Sequence, residues 1–221
     1  MKIVKIYFLS MLLFYTCANA QSTNTDQSFA RLPQPKQGEK AATFAGGCFW
    51  SLSEGLSELN GVNKVVSGYA GGTTKNPSYE EVSEKSTGHA ESVQVYYNPA
   101  VISYNALAEA FFYAHDPTTR DRQGPDEGTD YRSIAFYRSA EEKKTLEEVI
   151  TKVNNEHHYG NAIVTQILPF KVLYPAEKYH QGYYRLHQES SYIQHVSMPK
   201  VLKLRKAMKS RLKPEFQQKT V

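Results

Sequence analysis

The pattern of hydrophobic and polar positions divides most of the chain into short strand and helix segments that alternate. In residues 91–97, for example, Val93, Val95 and Tyr97 share one face, as in a half-buried strand. The alternation of strand and helix segments along the chain predicts a single domain of the α/β or α+β class. Strands are predicted at 41–45, 62–69, 91–97, 133–137 and 163–168, and helices from Cys48 past Glu54, from Ser103 through Leu107, Phe111 and Phe112, at 140–156 and at 199–212.

The first twenty residues have the pattern of a secretory signal peptide. Two lysines precede an apolar run at 6–15 that is too short to span a bilayer as a helix, and Ala18-Asn19-Ala20 supplies small residues for cleavage. We therefore expect an exported protein, periplasmic or otherwise extracytoplasmic, with 1–20 removed. An uncleaved membrane anchor and lipidation at Cys17 are the less favoured alternatives. Residues 21–40 are polar and lack periodicity, which predicts a disordered linker.

Composition and charge limit the classes of function. The chain has 221 residues, of which 40% are hydrophobic and 22% charged, so it can form a core and is too weakly charged for disorder. Its net charge of +4 is too small to indicate nucleic-acid binding. Residues 41–197 carry 13 basic and 19 acidic side chains, whereas residues 198–221 carry eight basic and one acidic. We take 41–197 as the main domain and 198–221 as a basic C-terminal helix and tail.

The basic tail places apolar side chains on one face of a predicted helix. We expect this face to dock on the domain while the charges remain in solvent. A helix that lies on a membrane surface is the less favoured alternative. The apolar face consists of Val201, Leu204, Ala207, Met208 and Leu212.

The two cysteines, Cys17 and Cys48, exclude a disulfide-stapled scaffold and a four-cysteine zinc site. Removal of the signal peptide leaves Cys48 as the single thiol. The histidines form neither an HExxH motif nor a Cys/His ligand set, so no metal and no cofactor are predicted. His180 and His187 are interpreted as packing or surface residues.

Cys48 stands between a predicted strand and a predicted helix, in the segment Gly46-Gly47-Cys48-Phe49-Trp50. A thiol at a helix N-terminus is expected to have a lowered pKa, because unpaired backbone N–H groups stabilise the thiolate. The two glycines allow a sharp turn, and the two aromatic residues can wall an apolar slot. The segment is therefore typical of a reactive cysteine, with a buried cysteine beside core aromatics as the alternative.

Further segments carry a resemblance to a known family. Between about residues 41 and 187 the chain contains, in this order, GGCFW, SGYAGG, NPSYEEV, TGHAES, HDPTT, RQGPDEGTDYRS and YPAEKYHQGYY. In these segments and their spacing the chain resembles the type A peptide methionine sulfoxide reductases, abbreviated MsrA. The resemblance implies an α+β fold, a two-layer sandwich of the ferredoxin-like MsrA type with a central mixed or antiparallel sheet, flanking helices and extensive ordered coil.

The resemblance also implies a reaction, the reduction of the S epimer of methionine sulfoxide, free or in proteins, to methionine. Cys48 is then the nucleophile, and Glu91, whose pKa rises in an apolar pocket, is the acid that protonates the sulfoxide oxygen. Tyr79 and Tyr131 hold that oxygen as neutral donors, and Asp126 orients the site by hydrogen bonds. The implied substrate-binding residues are Phe49 and Trp50, which receive the S-methyl group, Gly47, which sets the backbone geometry, and His89.

No cysteine follows Cys48, whereas many family members carry one or two C-terminal resolving cysteines that form a disulfide reduced by thioredoxin. We therefore predict a one-cysteine cycle, in which an external thioredoxin-like protein or small thiol reduces a Cys48 sulfenic acid directly. The expected partners are oxidised exported proteins and free methionine sulfoxide, with no nucleic acid, and the enzyme is expected to act as a monomer. Pro125 and Asp130 replace the Asn and Gln common in the family; we expect Pro125 to stiffen its loop and Asp130 to add a charge at the pocket rim.

Two other classes of function are weaker alternatives. A cysteine hydrolase would pair Cys48 with His89 and Asp126, but acyl transfer does not require the acid Glu91. A non-catalytic module that binds oxidised methionine would keep the pocket and make no use of the thiol. Loss of reduction with unchanged binding in a Cys48→Ser variant distinguishes the reductase from both.

Overall fold

The structure is a computed structural model that describes residues 27–218, so the predicted signal peptide lies outside the described residues. The β-strands are β1 (Lys40–Ala45), β2 (Val62–Ala70), β3 (Ala90–Tyr97), β4 (Arg122–Gln123), β5 (Asp126–Glu127), β6 (Ile134–Tyr137), β7 (Gln166–Pro169) and β8 (Leu173–Pro175). The α-helices are α1 (Phe49–Ser57), α2 (Tyr79–Ser83), α3 (Tyr104–Ala114), α4 (Ala140–Asn155), α5 (Tyr183–Leu186), α6 (Met198–Ala207) and α7 (Pro214–Gln217). Short 3-10 turns span Thr129–Tyr131, Lys178–His180 and Lys209–Arg211, and a π-helical turn spans Ile193–Ser197.

A mixed sheet forms the centre of the domain, with its strands in the order β7–β6–β1–β3–β2–β8. β6 and β7 run parallel, and the other neighbouring strands are antiparallel. Helices α1, α3, α4 and α6 share one apolar core with this sheet, in which Phe44, Leu107 and Phe111 are completely buried. The predicted α+β class, with helices flanking a central mixed sheet, is confirmed.

Strand β3 is buried along its whole length, so the prediction of a half-buried strand is wrong. Its second face is covered by another apolar cluster, to which Leu32, Leu168 and Phe170 contribute. On the same strand the polar Gln94 accepts a hydrogen bond of 3.1 Å from Arg138. The alternation in the sequence therefore separates two buried environments and not core from solvent.

The register of the strands brings distant parts of the chain to one end of the sheet. Ala45 at the end of β1 pairs with Ile134 at the start of β6. Ala70 at the end of β2 pairs with Ala90 at the start of β3. Cys48 follows β1 directly, and the long loop before β6 arrives at the same place. We call this the site end of the sheet.

The linker predicted to be disordered is ordered over its described part. The backbone N–H of Ala30 donates to the carbonyl of Ala176, and the hydroxyl of Tyr96 donates to the carbonyl of Pro33 across 2.6 Å. The prediction is wrong there, because Leu32 covers the second face of the sheet and its neighbours find backbone partners.

The basic tail packs into the domain and is not a separate unit. Val201, Leu204, Met208 and Leu212 are buried, as expected for a docked helix, whereas Ala207 is exposed where α6 ends. The predicted boundary at residue 198 therefore has no structural counterpart, because the apolar face of α6 completes the core formed by α1 and α3.

Two ion pairs fasten the C-terminal region to α1. Glu58 is completely buried and accepts hydrogen bonds of 2.7 Å each from Nε and Nη2 of Arg205. One turn earlier, Glu54 accepts hydrogen bonds of 2.9 and 2.7 Å from Nε of Arg185. A buried carboxylate that loses such a partner is strongly destabilising, so these pairs fix where α5 and α6 lie.

The short elements are the ones that periodicity does not predict. Helices α2 and α5, strand β8 and the π-helical turn span only three to five residues each. Strand β7 begins at Gln166, three residues later than predicted, and the helix predicted at 199–212 ends at Ala207. Within residues 27–218, no helix combines the length and apolar character needed to cross a membrane.

Candidate active site

Cys48 is the N-cap of α1, directly after the turn that follows β1. In this turn Gly47 has φ +78°, and a Cβ atom on it would lie 2.5 Å from Cγ of Gln123. Glycine is therefore required both by the backbone conformation and by the close approach of that side chain. Cys48 itself is only 4% exposed. The strand–turn–helix unit thus presents the thiol at the site end of the sheet but withdraws it almost completely from water.

Burial raises the pKa of the Cys48 thiol, so the predicted lowering is wrong. Negative charge on Glu91 raises it further, while hydrogen bonds with the Tyr192 hydroxyl and the backbone N–H of Trp50 act in the opposite direction. Desolvation outweighs the helix N-terminus here, because the sulfur has almost no contact with solvent. The resting side chain is therefore a thiol, and a thiolate forms only if a nearby group takes its proton.

Glu91 lies at the start of β3, and its Oε2 accepts a hydrogen bond of 2.9 Å from the backbone N–H of Phe49. This bond holds the carboxyl against the first turn of α1, next to Cys48. Burial raises the pKa of Glu91 to about 8, and nearby Asp130 and Asp126 also raise it. The carboxyl is therefore protonated at neutral pH, which is the state that a proton donor needs.

Tyr79 and Tyr131 approach the same place from α2 and from the 3-10 turn before β6. Burial raises the pKa of Tyr79 to about 12 and also raises that of Tyr131, so both phenols are neutral donors. The buried Glu177 supports this side: its Oε1 accepts a hydrogen bond of 2.9 Å from the Tyr79 backbone N–H, and its Oε2 accepts one of 2.9 Å from the Tyr69 hydroxyl. Glu177 thereby ties the start of α2 to β2.

Asp126 accepts two hydrogen bonds through Oδ2, one of 2.8 Å from the Tyr192 hydroxyl and one of 3.3 Å from Nζ of Lys200. The side chains of Asp126 and Lys200 are 10% and 17% exposed, so this ion pair is largely shielded from solvent. The same Tyr192 hydroxyl lies within hydrogen-bonding range of Cys48. Asp126 therefore acts on the site through Tyr192, and the basic tail supplies the counter-ion.

Trp50 forms an aromatic wall with two tyrosines from the C-terminal region. The Tyr183 ring stacks on the indole at a centroid distance of 3.8 Å, and the Tyr192 ring meets it edge-on at 5.6 Å. The indole Nε1–H donates to Nδ1 of His180 across 3.1 Å. Burial lowers the pKa of His180 to about 4, so this imidazole is neutral and its proton resides on Nε2.

These groups surround a cavity of about 320 Å³ at the site end of the sheet. Six of the nine predicted site residues line it, so the structure brings together the predicted nucleophile, the predicted acid, the two phenols, the loop carboxylate and the tryptophan. The lining residues are Cys48, Trp50, Tyr79, Glu91, Asp126, Tyr131, Tyr183, Ser190 and Tyr192.

The other three predicted residues lie behind the cavity, and the substrate contact predicted for them has no support in the geometry. Phe49 is completely buried, because successive residues of a helix point about 100° apart and only Trp50 faces the cavity. Gly47 shapes the turn. His89 accepts a hydrogen bond at Nδ1 from the Gly72 N–H (3.1 Å), and its Nε2 bonds the Thr74 carbonyl (2.8 Å), so it fixes a glycine-rich loop.

Several residues of the site were not predicted, and they come from the segment between residues 180 and 200. Tyr183, Ser190 and Tyr192 lie in or next to short elements without a periodic pattern. Lys200 lies in the first turn of α6, within the helix predicted at 199–212, but no role in the site was predicted for it. His180 was interpreted as a packing or surface residue. The high density of tyrosines in 183–192 is the signal in the sequence that points to this segment.

Asp130 is buried and does not add a charge at the pocket rim as expected. Its Oδ1 has no hydrogen-bond partner among the described residues, and burial raises its pKa. Asp130 instead acts on Glu91, whose pKa it raises. Pro125 is exposed in the turn between β4 and β5.

The cavity therefore offers a nucleophile precursor, a protonated carboxyl and two neutral phenols within one small volume. Such a set can attack a substrate atom from one side and donate protons to a leaving oxygen on the other. Residues 27–218 contain no group of three or more His, Cys, Asp or Glu side chains that could hold a metal ion.

Known proteins resemble this chain over most of its length. A family model described as peptide methionine sulfoxide reductase matches residues 40–212. A peptide methionine sulfoxide reductase MsrA of Thermus thermophilus is 47% identical over 176 residues, which are 80% of this chain and 99% of the relative. One from Leptospira borgpetersenii is 48% identical over 160 residues, which are 72% of this chain and 90% of the relative.

Solved structures give the same result. The reduced form of Mxr1 from Saccharomyces cerevisiae has a TM-score of 0.67 and 36% identity, covering 71% of this chain and 91% of that one. Methionine sulfoxide reductase A of Corynebacterium diphtheriae has a TM-score of 0.63 and 28% identity, covering 77% and 91%. Because sequence and structure match over most of the domain, this chain belongs to the type A peptide methionine sulfoxide reductases, the MsrA family of enzymes.

Proposed function

We propose that the enzyme reduces the S epimer of methionine sulfoxide, free or within proteins, to methionine. The observation that carries the proposal is the convergence of the Cys48 thiol, the protonated Glu91 carboxyl and the Tyr79 and Tyr131 phenols on one cavity of about 320 Å³. A sulfoxide has a polarised S–O bond, so it requires a nucleophile at sulfur and a proton at oxygen. These four side chains are of the types that supply both.

In the proposed reaction, Sγ of Cys48 attacks the sulfoxide sulfur while Glu91 donates its proton to the oxygen. The S–O bond of the substrate breaks, and the oxygen ends on Sγ with one hydrogen, so the products are methionine and a Cys48 sulfenic acid. The substrate sulfur gains two electrons and the cysteine sulfur loses two. The thiol proton of Cys48 replaces the proton that Glu91 gives, so hydrogen is conserved.

The protonation state of Glu91 serves this reaction in two ways. A neutral carboxyl can donate a proton, and it also removes a negative charge that would oppose thiolate formation at Cys48. Because both groups are buried, each charge has a large effect on the other. The enzyme is therefore expected to react from the form in which both Cys48 and Glu91 carry protons.

Selectivity for one epimer is proposed to follow from the shape of the cavity. The sulfoxide oxygen would lie at the Tyr79 and Tyr131 hydroxyls, and the S-methyl group would lie against Trp50 and Tyr192. The opposite epimer would place its oxygen on the aromatic wall, where it loses the phenol hydrogen bonds.

Recycling is proposed to use an external thiol, because no cysteine follows Cys48 in the sequence and Cys48 is a free thiol in the structure. The first external thiol attacks the sulfenic acid, releases water and forms a mixed disulfide with Cys48. A second thiol then attacks this disulfide and restores the Cys48 thiol. A thioredoxin-like protein or a small thiol fits this chemistry.

The reaction is tested by one turnover without reductant, using the full chain and each sulfoxide epimer separately. Peptide mapping by mass spectrometry is expected to find one added oxygen on Cys48 after reaction with the S epimer, and none after reaction with the R epimer. An internal disulfide or an unmodified Cys48 would contradict the one-cysteine cycle. Activity retained in a Cys48→Ser variant would contradict its role as nucleophile.

The compartment is a separate proposal, in which the enzyme repairs oxidised proteins outside the cytoplasm. Its support is the signal-like pattern of residues 1–20, which lie outside the described residues. Sequencing the N-terminus of the protein isolated from a secreting host is expected to give a start near residue 21. A chain that retains Met1 would contradict this proposal.

Hydrolysis by a cysteine–histidine pair has less support. Such an enzyme needs an imidazole nitrogen free to take a proton from Cys48. Both ring nitrogens of His89 are engaged by the backbone of Gly72 and Thr74.

A further inference from the structure

A second cavity, of about 550 Å³, lies beside the active-site cavity. Tyr131 lines the first cavity and its neighbour Arg132 lines the second. In the same way, Glu91 lines the first and Gly88, three residues earlier, lines the second. The segment 129–133 therefore separates the two cavities, and both lie at the site end of the sheet.

The second cavity is basic, although the domain around it is acidic. Lys85, Arg120 and Arg132 line it, and Asp121 is the acidic residue of its wall. Residues 41–197 as a whole carry 13 basic and 19 acidic side chains. Three cations against one carboxylate therefore reverse the charge locally, directly beside the site of reaction.

The cationic side chains that line this cavity have N–H donors without partners among the described residues. Lys85 and Arg120 are exposed and form no ion pair within residues 27–218. Arg132 donates to two backbone carbonyls, those of Thr129 (2.6 Å) and Gly88 (2.9 Å), which leaves three of its five N–H donors for other acceptors.

The half-buried guanidinium of Arg132 is held in place without a direct carboxylate partner. Burial lowers its pKa, and Asp121 and Asp130 offset part of this lowering from a distance. Asp130 also lies near Lys85, but it is buried and is not among the residues that line the cavity. An anion that entered the cavity would therefore meet positive charge that no side chain neutralises by direct contact.

We propose that the second cavity is a subsite for an acidic side chain, Asp or Glu, of the polypeptide whose methionine sulfoxide occupies the active-site cavity. This inference rests on the proposed function. An extended chain advances about 3.4 Å per residue, so an acidic residue about two to four positions from the sulfoxide can reach across the segment 129–133. The subsite makes the enzyme select sulfoxides in acidic sequence contexts.

The test compares capped peptides that contain the S sulfoxide and carry Asp, Asn or Lys at one variable position. This position is placed one to four residues before or after the methionine sulfoxide. The expected result is a kcat/KM for the best Asp peptide about fivefold above that of its Asn counterpart at low salt, as for a few half-exposed charge pairs. The preference is expected to shrink as salt is added, because the pairs are screened.

Charge reversal identifies the cavity as the source of the preference. In a Lys85→Glu/Arg120→Glu variant the Asp preference is expected to vanish and the Lys peptide to become the better substrate. Both side chains are exposed, so the fold is retained, and Arg132 is left in place because it holds backbone carbonyls. The matched control is Lys64→Glu on β2, an exposed lysine at the other end of the sheet, which is expected to keep the preference.

The outcomes separate the inference from the proposed function. If wild type and the double variant show the same Asp-to-Asn ratio at every position, the subsite proposal is overturned, while reduction of the Asn peptide still supports the reductase. If no peptide and no free sulfoxide is reduced, the proposed function fails. If inorganic phosphate raises the Tm of wild type but not of the double variant, and Asp and Asn peptides react equally, the cavity holds a small anion and the peptide proposal is overturned.

Discussion

The indole Nε1–H of Trp50 donates a hydrogen bond of 3.1 Å to Nδ1 of His180, a buried residue 130 positions later in the chain. The same imidazole ring lies against Phe49 and Tyr79, at centroid distances of 4.9 and 4.6 Å. His180 therefore positions the aromatic wall and one of the phenols, although it does not line the cavity itself.

Replacing His180 by Phe keeps an aromatic ring but removes the acceptor of the Trp50 N–H. An unpaired buried donor costs about 1–3 kcal/mol, so we expect the indole to shift and kcat/KM for the sulfoxide to fall roughly tenfold, mainly through KM. Trp50 is the only tryptophan of the chain, so its fluorescence spectrum reports the shift directly. A His180→Gln variant, which retains an acceptor, is expected to recover part of KM. Unchanged KM and fluorescence in His180→Phe would contradict a positioning role.

The raised pKa of Glu91 leads to a prediction of how the activity depends on pH. Its pKa is raised to about 8, so the proton that the reaction needs is present below that pH and is lost above it. We expect kcat/KM to fall as pH rises through about 8. A Glu91→Gln variant is expected to be much slower and to lose this limb of the profile.

The same carboxyl also affects stability, and at high pH it favours the Glu91→Gln variant over the wild type. A raised pKa in the folded state means that its stabilising contribution is complete below the unfolded value near 4.5 and is lost as pH rises to about 8. Glu91→Gln is therefore expected to be more stable than wild type above pH 8 in denaturant unfolding. Equal stability of the two proteins at pH 9 would show that the carboxyl is not buried as described.

Tyr192 predicts a change in the reactivity of Cys48. Its hydroxyl donates to Asp126 and, when the same proton turns toward Cys48, lowers the pKa of the thiol, so Tyr192→Phe removes both interactions. We expect slower alkylation of Cys48, with the rate measured by peptide mapping. We also expect a kcat about tenfold lower, as for one lost hydrogen bond to a charged group. Tyr137→Phe is the control, because no hydrogen bond to that hydroxyl occurs in the described part of the chain. Equal alkylation rates in wild type and Tyr192→Phe would remove Tyr192 from the site.

The sequence predicts the regular elements and the candidate reacting groups, but not the residues that hold these groups in position. The strand before Gly46 and the helix after Cys48 follow from local pattern, and Glu91 follows from a motif. His180, Glu177 and Tyr192 act through contacts with residues 66 to 144 positions earlier in the chain, and short turns without periodicity place them. Phe49 is expected in the pocket from its place after Cys48 in GGCFW and from the family resemblance, yet helical geometry places it in the core. Even the shift of the Cys48 pKa depends on tertiary burial, which no local motif reports.

The backbone conformation of Gly47 leads us to expect a loss of both stability and activity when a side chain is added there. Gly47→Ala forces a residue with a Cβ to φ +78° and brings that atom within 2.5 Å of Gln123. We expect destabilisation of about 1–3 kcal/mol and a large fall in kcat, because the turn that carries Cys48 must shift. Gly160→Ala is the matched control, since a Cβ there meets nothing within 4 Å. Equal Tm values for the two variants would contradict the strain at Gly47.

The ion pair between Arg205 and Glu58 leads to a prediction of how much it stabilises the packing of α6. Arg205→Ala leaves the completely buried Glu58 without its partner, so we expect a loss of about 3–5 kcal/mol in denaturant unfolding. A Glu58→Gln/Arg205→Met double variant, which buries no charge, is expected to lose less. Lys206→Ala, on the exposed side of the same helix, should leave the unfolding midpoint unchanged. A double variant less stable than Arg205→Ala would show that the pair itself, and not the unpaired carboxylate, dominates.

The near-complete burial of Cys48 has a consequence for the proposed recycling by an external thiol. Such a reductant must bring its own sulfur into line with Sγ of a residue that is 4% exposed, in a cavity whose lining includes the rings of Trp50, Tyr183 and Tyr192. A slender thiol can enter by itself, whereas a folded protein with a flat surface can reach the sulfur only if these rings move aside. We therefore expect access to this cavity, more than the redox potential of the donor, to decide which thiols can complete the proposed cycle.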